Sequence, residues 1–152
     1  MSETAGEKVF VCKLDGRQYA LPLSAVVRVV SAVALAPNSD ETKPYVLGTF
    51  QYSKDQIPVF DIRSWLGLSS KKLEVSDMGI IISAAGKLAA CFVDDASGVL
   101  GLKELKGTTK GTLEVRDGRV VAYTNHSDLV FLLRSEPLMQ QIGTICDSNG
   151  KT

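Results

Sequence analysis

The chain has 152 residues, 45% hydrophobic and 22% charged, so it can bury a core in one domain or in two very small subdomains. Its 17 Lys and Arg residues balance its 17 Asp and Glu residues, and this zero net charge disfavours nucleic acid and anionic membrane surfaces as partners. Three widely spaced cysteines without a Cys-x-x-Cys pair favour a reducing compartment over a disulfide framework or a thiolate zinc site.

The N-terminus and the most apolar window bear on where the protein is located. The N-terminus is polar and acidic, unlike a secretory signal. The most apolar window, Tyr19–Pro37, contains Pro22 and is interrupted by Arg28, so it falls short of a membrane span. We therefore expect a cytoplasmic protein that does not insert into a membrane.

The first predicted elements are two β-rich runs at residues 9–14 and 18–23. Asp15-Gly16 lies between them, and this dipeptide tolerates the positive φ angles of a tight hairpin turn. Ser24 then follows as a candidate N-cap of a short helix, before a valine-rich segment that favours an extended chain.

The central stretch, Val46–Leu68, is predicted to form a hairpin, because its polar residues lie between two apolar runs. Pro58 cannot donate to a neighbouring strand, so it belongs at a strand start or on an edge. Asp61 and Arg63 are predicted to share one strand face, where they brace each other or a neighbouring loop. Gly67 is expected to close a helical turn.

The second half predicts two further hairpins, one around Ala84–Lys87 and one across Asp117-Gly118. Residues 137–145 place apolar side chains at helical spacing, which predicts a C-terminal helix starting at Pro137. Nine or ten short strands with little helix are typical of β-barrels and sandwiches.

Residues able to carry out chemistry are scattered. His126 is the only histidine, and no second His or nearby Cys supports a zinc site. Asp94 and Asp95 are neighbours on a predicted strand, so they should face opposite ways and share no proton. Trp65 stands alone, and a core or interface position is favoured over a ligand clamp. The sequence predicts a binding protein that is not an enzyme and uses no cofactor or metal.

Three blocks, taken in order, carry a family resemblance. The first reads FVCKLDGRQYALPL at residues 10–23 and is followed by Val26 and Val29. The second reads VLG at 46–48, IPVFDIR at 57–63 and LGL at 66–68. The third reads CFVD at 91–94 with Val99-Leu100, then Asp117-Gly118-Arg119, Asn125 and Leu129. Together they resemble the CheW-type coupling proteins of bacterial chemosensory systems over roughly residues 8–135.

The resemblance implies a mainly β fold. It consists of two packed, five-stranded SH3-like barrels, a short helix after the second strand and a C-terminal helix. The CheW-like domain is expected at 8–146, with tails at 1–7 and 147–152. Its subdomains are expected at roughly 15–75 and 76–135, with the N-terminal strand a candidate member of the second barrel.

The resemblance also implies a function: a non-catalytic adaptor at the inner face of the membrane. It would couple the cytoplasmic tip of a methyl-accepting chemoreceptor to the regulatory domain of a CheA-type histidine kinase. Carried over by position, the receptor-binding candidates are Val26, Ser53, Met78, Ala90, Ala96 and Val99. The kinase-binding candidates are Arg28, Gly48 and Gln56, and the structural core motif is Pro58, Asp61 and Arg63. Val26, Ala90 and Val99 are equally compatible with plain core positions, and Gly48 with a backbone requirement.

The chain departs from the family pattern at the hairpin tip, where Gln51-Tyr52-Ser53-Lys54 replaces Asn-x-Arg-Gly. Ser cannot form the planar, bidentate hydrogen bonds of Arg. Arg28 also occupies a position that is often acidic in the family. Both departures point to a divergent partner. The alternative hypothesis is a free-standing β-barrel that binds a small ligand or nucleic acid through an electropositive, aromatic-lined face.

Overall fold

The structure is a computed structural model, and it describes residues 7–31, 36–37, 45–69, 74, 76–101, 103, 106–107, 114–115, 119–125 and 128–150. The predicted turn Asp117-Gly118, the histidine His126 and residues 1–6 of the predicted tail lie outside these ranges. The strands are β1 (Lys8–Leu14), β2 (Arg17–Pro22), β3 (Val26–Ser31), β4 (Ala36–Pro37), β5 (Val46–Tyr52), β6 (Asp55–Phe60), β7 (Met78–Ala84), β8 (Lys87–Val93), β9 (Asp95–Gly101), β10 (Lys106–Gly107), β11 (Glu114–Val115), β12 (Val120–Asn125) and β13 (Asp128–Leu133). The helices are a 3-10 turn (Leu23–Ala25), α1 (Ile62–Trp65) and α2 (Ser135–Gly150).

The strands form two sheets, each built on five long strands. One sheet has the order β10-β12-β13-β2-β1-β9, with β11 also on β12, and we call it the terminal barrel. The other has the order β3-β7-β8-β6-β5-β4, and we call it the central barrel. With the 3-10 turn after β2 and the C-terminal helix α2, this confirms the predicted fold of two five-stranded SH3-like barrels.

The strands are not distributed between the barrels as the predicted ranges 15–75 and 76–135 would have it. β1 lies in the terminal barrel, the barrel for which the N-terminal strand is a candidate, but β2 lies there as well, whereas β7 and β8 complete the central barrel. The reason is non-local pairing: β7 lies antiparallel to β3, and β8 lies parallel to β6. Hairpin signals report only neighbours in sequence, so they could not reveal these pairs.

The termini of the two helices also differ from prediction. Pro22 occupies the N-cap position of the 3-10 turn, and Ser24 lies inside it. Helix α2 begins at Ser135 and runs to Gly150, so 147–150 continue the helix instead of forming a tail. Pro137 therefore lies in the first turn of α2, where a missing N–H costs no intrahelical hydrogen bond.

Two hairpins have the turn geometry that their sequences predict. In the β1–β2 turn, Asp15 and Gly16 have φ values of 54° and 78°. In the β7–β8 turn, Ala85 and Gly86 have φ values of 53° and 81°. Positive φ at both central residues matches the twist of the flanking strands. In the β5–β6 hairpin, Ser53 has a φ of 56° without a glycine.

The largest apolar cluster lies between the barrels, and we call it the inter-barrel core. Its buried members come from both sheets and from α2: Phe10, Cys12, Leu14, Tyr19, Leu21, Ala25, Phe60, Ile62, Trp65, Leu66, Ile80, Ile82, Ala84, Ala89, Cys91, Val93, Val120, Leu133, Leu138, Ile142 and Ile145. Each barrel also has a small interior of its own. Because side chains alternate between the two faces of a strand, one strand can contribute to the inter-barrel core and to a barrel interior. In β7, Ile80 and Ile82 face the inter-barrel core, and Ile81 between them faces the central-barrel interior. Because both faces are buried there, Ile80, Ile81 and Ile82 form a continuous apolar run.

The predicted strand pair of Asp61 and Arg63 is wrong, because β6 ends at Phe60. Asp61 is the N-cap of α1, and its carboxylate accepts hydrogen bonds from the Ser64 N–H at 3.3 Å and the Ser64 hydroxyl at 2.7 Å. Gly67, with a φ of 84°, ends the helix as expected. The Leu68 N–H donates to the Arg63 carbonyl at 2.7 Å, and the Gly67 N–H donates to that of Ser64 at 3.0 Å.

The Arg63 side chain instead joins α1 to the terminal barrel, in a contact that we call the Arg63 clamp. Its Nη1 donates to Asp15 Oδ1 at 2.8 Å, and its Nη2 donates to Asp94 Oδ1. The other Asp94 oxygen accepts the Asp15 N–H at 2.9 Å. Arg63 is 7% exposed, against 45% for Asp15 and 31% for Asp94. One guanidinium thus fixes the β1–β2 turn and the β8–β9 junction together.

Replacing Ala85 by asparagine should stabilise the protein. Asparagine tolerates the left-handed conformation that costs alanine energy, so Ala85→Asn should raise the free energy of unfolding by about 0.5–1 kcal/mol. Ala85→Val is the matched control and should lower it, since a β-branched side chain is strained at positive φ. Urea denaturation measures both changes. A lower stability for Ala85→Asn would contradict the turn geometry.

Removing the Arg63 guanidinium should destabilise the fold, because two carboxylates lose charge-assisted hydrogen bonds. We expect Arg63→Ala to lower the free energy of unfolding by about 2–3 kcal/mol. Arg63→Lys should lie in between, since Lys keeps the charge without the planar fork. Arg28→Ala, at an exposed arginine, is the control and should change stability by less than about 0.5 kcal/mol. Equal effects of Arg63→Ala and Arg28→Ala in urea denaturation would contradict the clamp.

Candidate functional site

Four of the receptor-binding candidates lie at the margin of the inter-barrel core. Val26, Met78 and Ala96 are half-buried and pack against that core. Val99 lies opposite Phe10, a member of the core, and is 49% exposed. Directly paired residues point to the same side of a sheet, so Val99 extends the same apolar surface to solvent. We call Val26, Met78, Ala96 and Val99 the inter-barrel rim.

The other two receptor-binding candidates lie elsewhere. Ala90 is 1% exposed and packs in the central-barrel interior with Ile81 and Val59, so it offers no surface to a partner. Ser53 is exposed at the tip of the β5–β6 hairpin, on the central barrel alone. The six carried-over positions therefore do not form one surface.

The kinase-binding candidates all lie on the central barrel, with different exposure. Arg28 on β3 and Gln56 on β6 are exposed, whereas Gly48 is buried in β5 between β4 and β6. Gln56 Nε2 donates to Gln51 Oε1 at 3.2 Å, and Gln51 Nε2 donates to the Ser53 carbonyl at 3.0 Å. These two bonds link the two strands of the hairpin near its tip.

Arg28 and Ser53, predicted to serve different partners, line the same groove. Its volume is about 570 Å³, and we call it the seam groove. Its lining is Arg28, Val30 and Ser31 from β3, and Phe50, Gln51, Tyr52 and Ser53 from the β5–β6 hairpin. Val30 and Phe50 pack in the central-barrel interior, so the groove has an apolar floor and a polar mouth.

A second cavity, of about 790 Å³, opens at one end of the terminal barrel. Its charged lining residues are Glu7, Lys8, Arg134 and Glu136. No sequence pattern marks this cavity, because its walls come from β1 and β2 and, far along the chain, from β12, β13 and the start of α2.

The cysteines are placed as structural residues. Burial raises the pKa of the Cys12 thiol to about 12 and also raises the pKa of the Cys91 thiol. Both side chains belong to the inter-barrel core. Cys146, on α2, donates its Sγ proton to the Leu88 carbonyl at 3.3 Å. A neutral thiol is a poor nucleophile, so none of the three is set up for covalent chemistry.

Trp65 contributes to the core and to the junction between the barrels. It is 1% exposed, and its ring lies edge-on to Phe60 at 5.6 Å between centroids. The Arg119 guanidinium lies 4.9 Å from the Trp65 ring centroid, and its Nη1 donates to the Trp65 carbonyl at 2.6 Å. Like the Arg63 clamp, this contact joins residues of the two barrels.

Within the described ranges, no group of three or more His, Cys, Asp or Glu side chains is arranged to hold a metal ion. No helix in the same ranges is long and apolar enough to cross a membrane. What the described surface offers is an apolar rim, a groove with one cation and a cavity of mixed charge. Such features serve contacts with other molecules, and the class of protein they fit is a binding module.

The comparisons with known proteins agree with this class. The chain matches the family model of the CheW-like domain over residues 8–142 and therefore belongs to that family. It is a chemotaxis scaffold or adaptor of the CheW type. No curated protein matches it in sequence. The crystal structure of the scaffolding protein TtCheW from Thermoanaerobacter tengcongensis has the same fold, with a TM-score of 0.70 and 19% identity over 85% of this chain and 89% of that one.

Proposed function

We propose that this chain works in the cytoplasm as a non-catalytic adaptor. It holds the cytoplasmic tip of a chemoreceptor and the regulatory domain of a CheA-type histidine kinase in one signalling array at the inner face of the membrane. The observation that supports the proposal is that the inter-barrel rim and the seam groove lie on one body whose two barrels share a core.

The inter-barrel rim is the proposed receptor contact. Its four side chains are apolar, and they lie beside the end strands β3 and β9. A receptor tip made of helices presents apolar side chains along one helix face, and such a face docks into a shallow apolar groove. Ala90 is left out of this contact because it is buried.

The exposed side of the central barrel is the proposed kinase contact. Arg28 and Gln56 are exposed there, and the Gln56–Gln51–Ser53 hydrogen bonds keep the hairpin tip ordered before binding. An ordered surface loses little conformational entropy on association. Gly48 lies beneath this surface, and we assign it a backbone role in pairing β5 with β4 and β6.

The alternative function, binding of a small ligand or nucleic acid, finds little support on the described surface. It requires an electropositive face lined by aromatic side chains. Among the described residues that line the seam groove, Arg28 is the single cation. Among the described residues that line the terminal-barrel cavity, the charges of Lys8 and Arg134 are balanced by those of Glu7 and Glu136.

A substitution at an exposed residue of the inter-barrel rim tests receptor binding without disturbing the buried core. Val99→Asp places a charge in the apolar contact, and we expect it to weaken binding to a purified receptor tip at least tenfold, or about 1.4 kcal/mol. Leu129→Asp is the matched control: Leu129 is 47% exposed, against 49% for Val99, and lies on β13, outside the rim. Isothermal titration measures both affinities. Equal affinities for the two variants would contradict the proposed receptor contact.

A further inference from the structure

Among the described residues, the central barrel is open along one line, between β3 and the β5–β6 hairpin. Its strand order begins with β3, and within the described part of the chain β3 pairs only with β7. At the other end, β4 pairs with β5 only at Gly48 and Thr49. The outer backbone edges of residues 28–31 and 50–52 therefore have no strand partner among the described residues. The seam groove is lined by side chains of both segments, so it follows the opening between them.

The described lining of the seam groove combines apolar side chains with one exposed arginine. Val30 and Phe50 supply apolar surface, and Phe50 is only 5% exposed because it packs against Phe92. Arg28 is exposed and makes no ion pair within the described residues. No acidic residue is among the described residues that line the groove. A cation without a counter-charge beside an apolar floor favours a ligand that brings both a carboxylate and an apolar group.

Arg28 and Val30 have the spacing of neighbours on one face of β3. Pairing with β7 is irregular between Val26 and Arg28, and then continues in register from Arg28 to Ser31. Arg28 and Val30 are two residues apart and point to the same side of the sheet. A strand added alongside β3 would place one of its residues opposite Arg28 and a residue two positions away opposite Val30.

We propose that an extended, acidic segment of a partner protein binds the seam groove as an added β-strand along β3. Its backbone hydrogen-bonds to the free edge of β3, a Glu or Asp side chain pairs with Arg28, and an apolar side chain two residues away packs on Val30 and Phe50. This inference rests on the proposed function, because it names the chemistry of the partner segment at the kinase-facing surface. The ordered hairpin tip forms the opposite wall.

Synthetic peptides and NMR titration of the ¹⁵N-labelled full chain test the inference. The probe is an eight-residue peptide in which Glu and Val are separated by one threonine. One control peptide carries Lys in place of Glu, and another carries a central proline, which removes a backbone donor. We expect the acidic peptide to shift the amide signals of residues 28–31 and 50–52. Its affinity should be at least fivefold higher than that of either control and should fall as salt is added.

Variants of the chain assign the preference to Arg28. Arg28→Glu should reverse it, so that the Lys peptide binds better, and Arg28→Lys should preserve it. Arg17→Glu, at an exposed arginine of the terminal barrel, is the matched control and should leave both affinities unchanged. The amide spectrum of each variant reports whether it is folded. Equal binding of acidic and basic peptides, no shift at all, or shifts confined to the terminal-barrel cavity would overturn the inference.

The adaptor role is tested separately, by measuring whether the immobilised chain captures a purified CheA-type regulatory domain. If the chain captured that domain but bound no peptide in the seam groove, the inference would be wrong and the adaptor role would still be supported. Peptide binding without capture of the domain would leave the groove assignment standing and count against the kinase contact.

Discussion

The apolar core that the two barrels share is the constraint on which the rest of the structure depends. Among the described residues, the interior of the terminal barrel contains four buried members, Val9, Val11, Ala20 and Val130. These four side chains alone cannot offset the loss of chain entropy in a separate barrel. The inter-barrel core supplies the missing burial, and α2 adds Leu138, Ile142 and Ile145 to it. We infer that the barrels fold as one unit.

Polar contacts at the margin of this core fix how the barrels meet. The Arg63 clamp joins α1 to two points of the terminal barrel, and Arg119 reaches back to the Trp65 ring and carbonyl. Directional bonds of this kind select one arrangement among the many that apolar packing tolerates. A fixed arrangement matters for an adaptor, because the distance between its two contact surfaces sets the distance between its partners.

The sequence predicts what depends on local pattern and on family motif. The apolar runs and the Asp15-Gly16 dipeptide indicated strands and a turn, and the ordered motifs indicated two barrels. It could not predict the partners of Arg63, which lie 48 and 31 residues away in the chain. Nor could it show that Ala90 is buried, or that Arg28 and Ser53 line one groove. An apolar residue of a strand buried on both faces gives no local sign of which face it occupies.

The most direct test of the adaptor account is whether the chain holds both partners at once. A receptor tip would be anchored on beads and incubated with a purified kinase regulatory domain, with and without this chain. The account predicts that the kinase domain is retained only when the chain is present, in amounts approaching those of the bound chain. If the kinase domain instead displaced the chain from the receptor tip, the two contact surfaces would not be separate, and the account would be wrong.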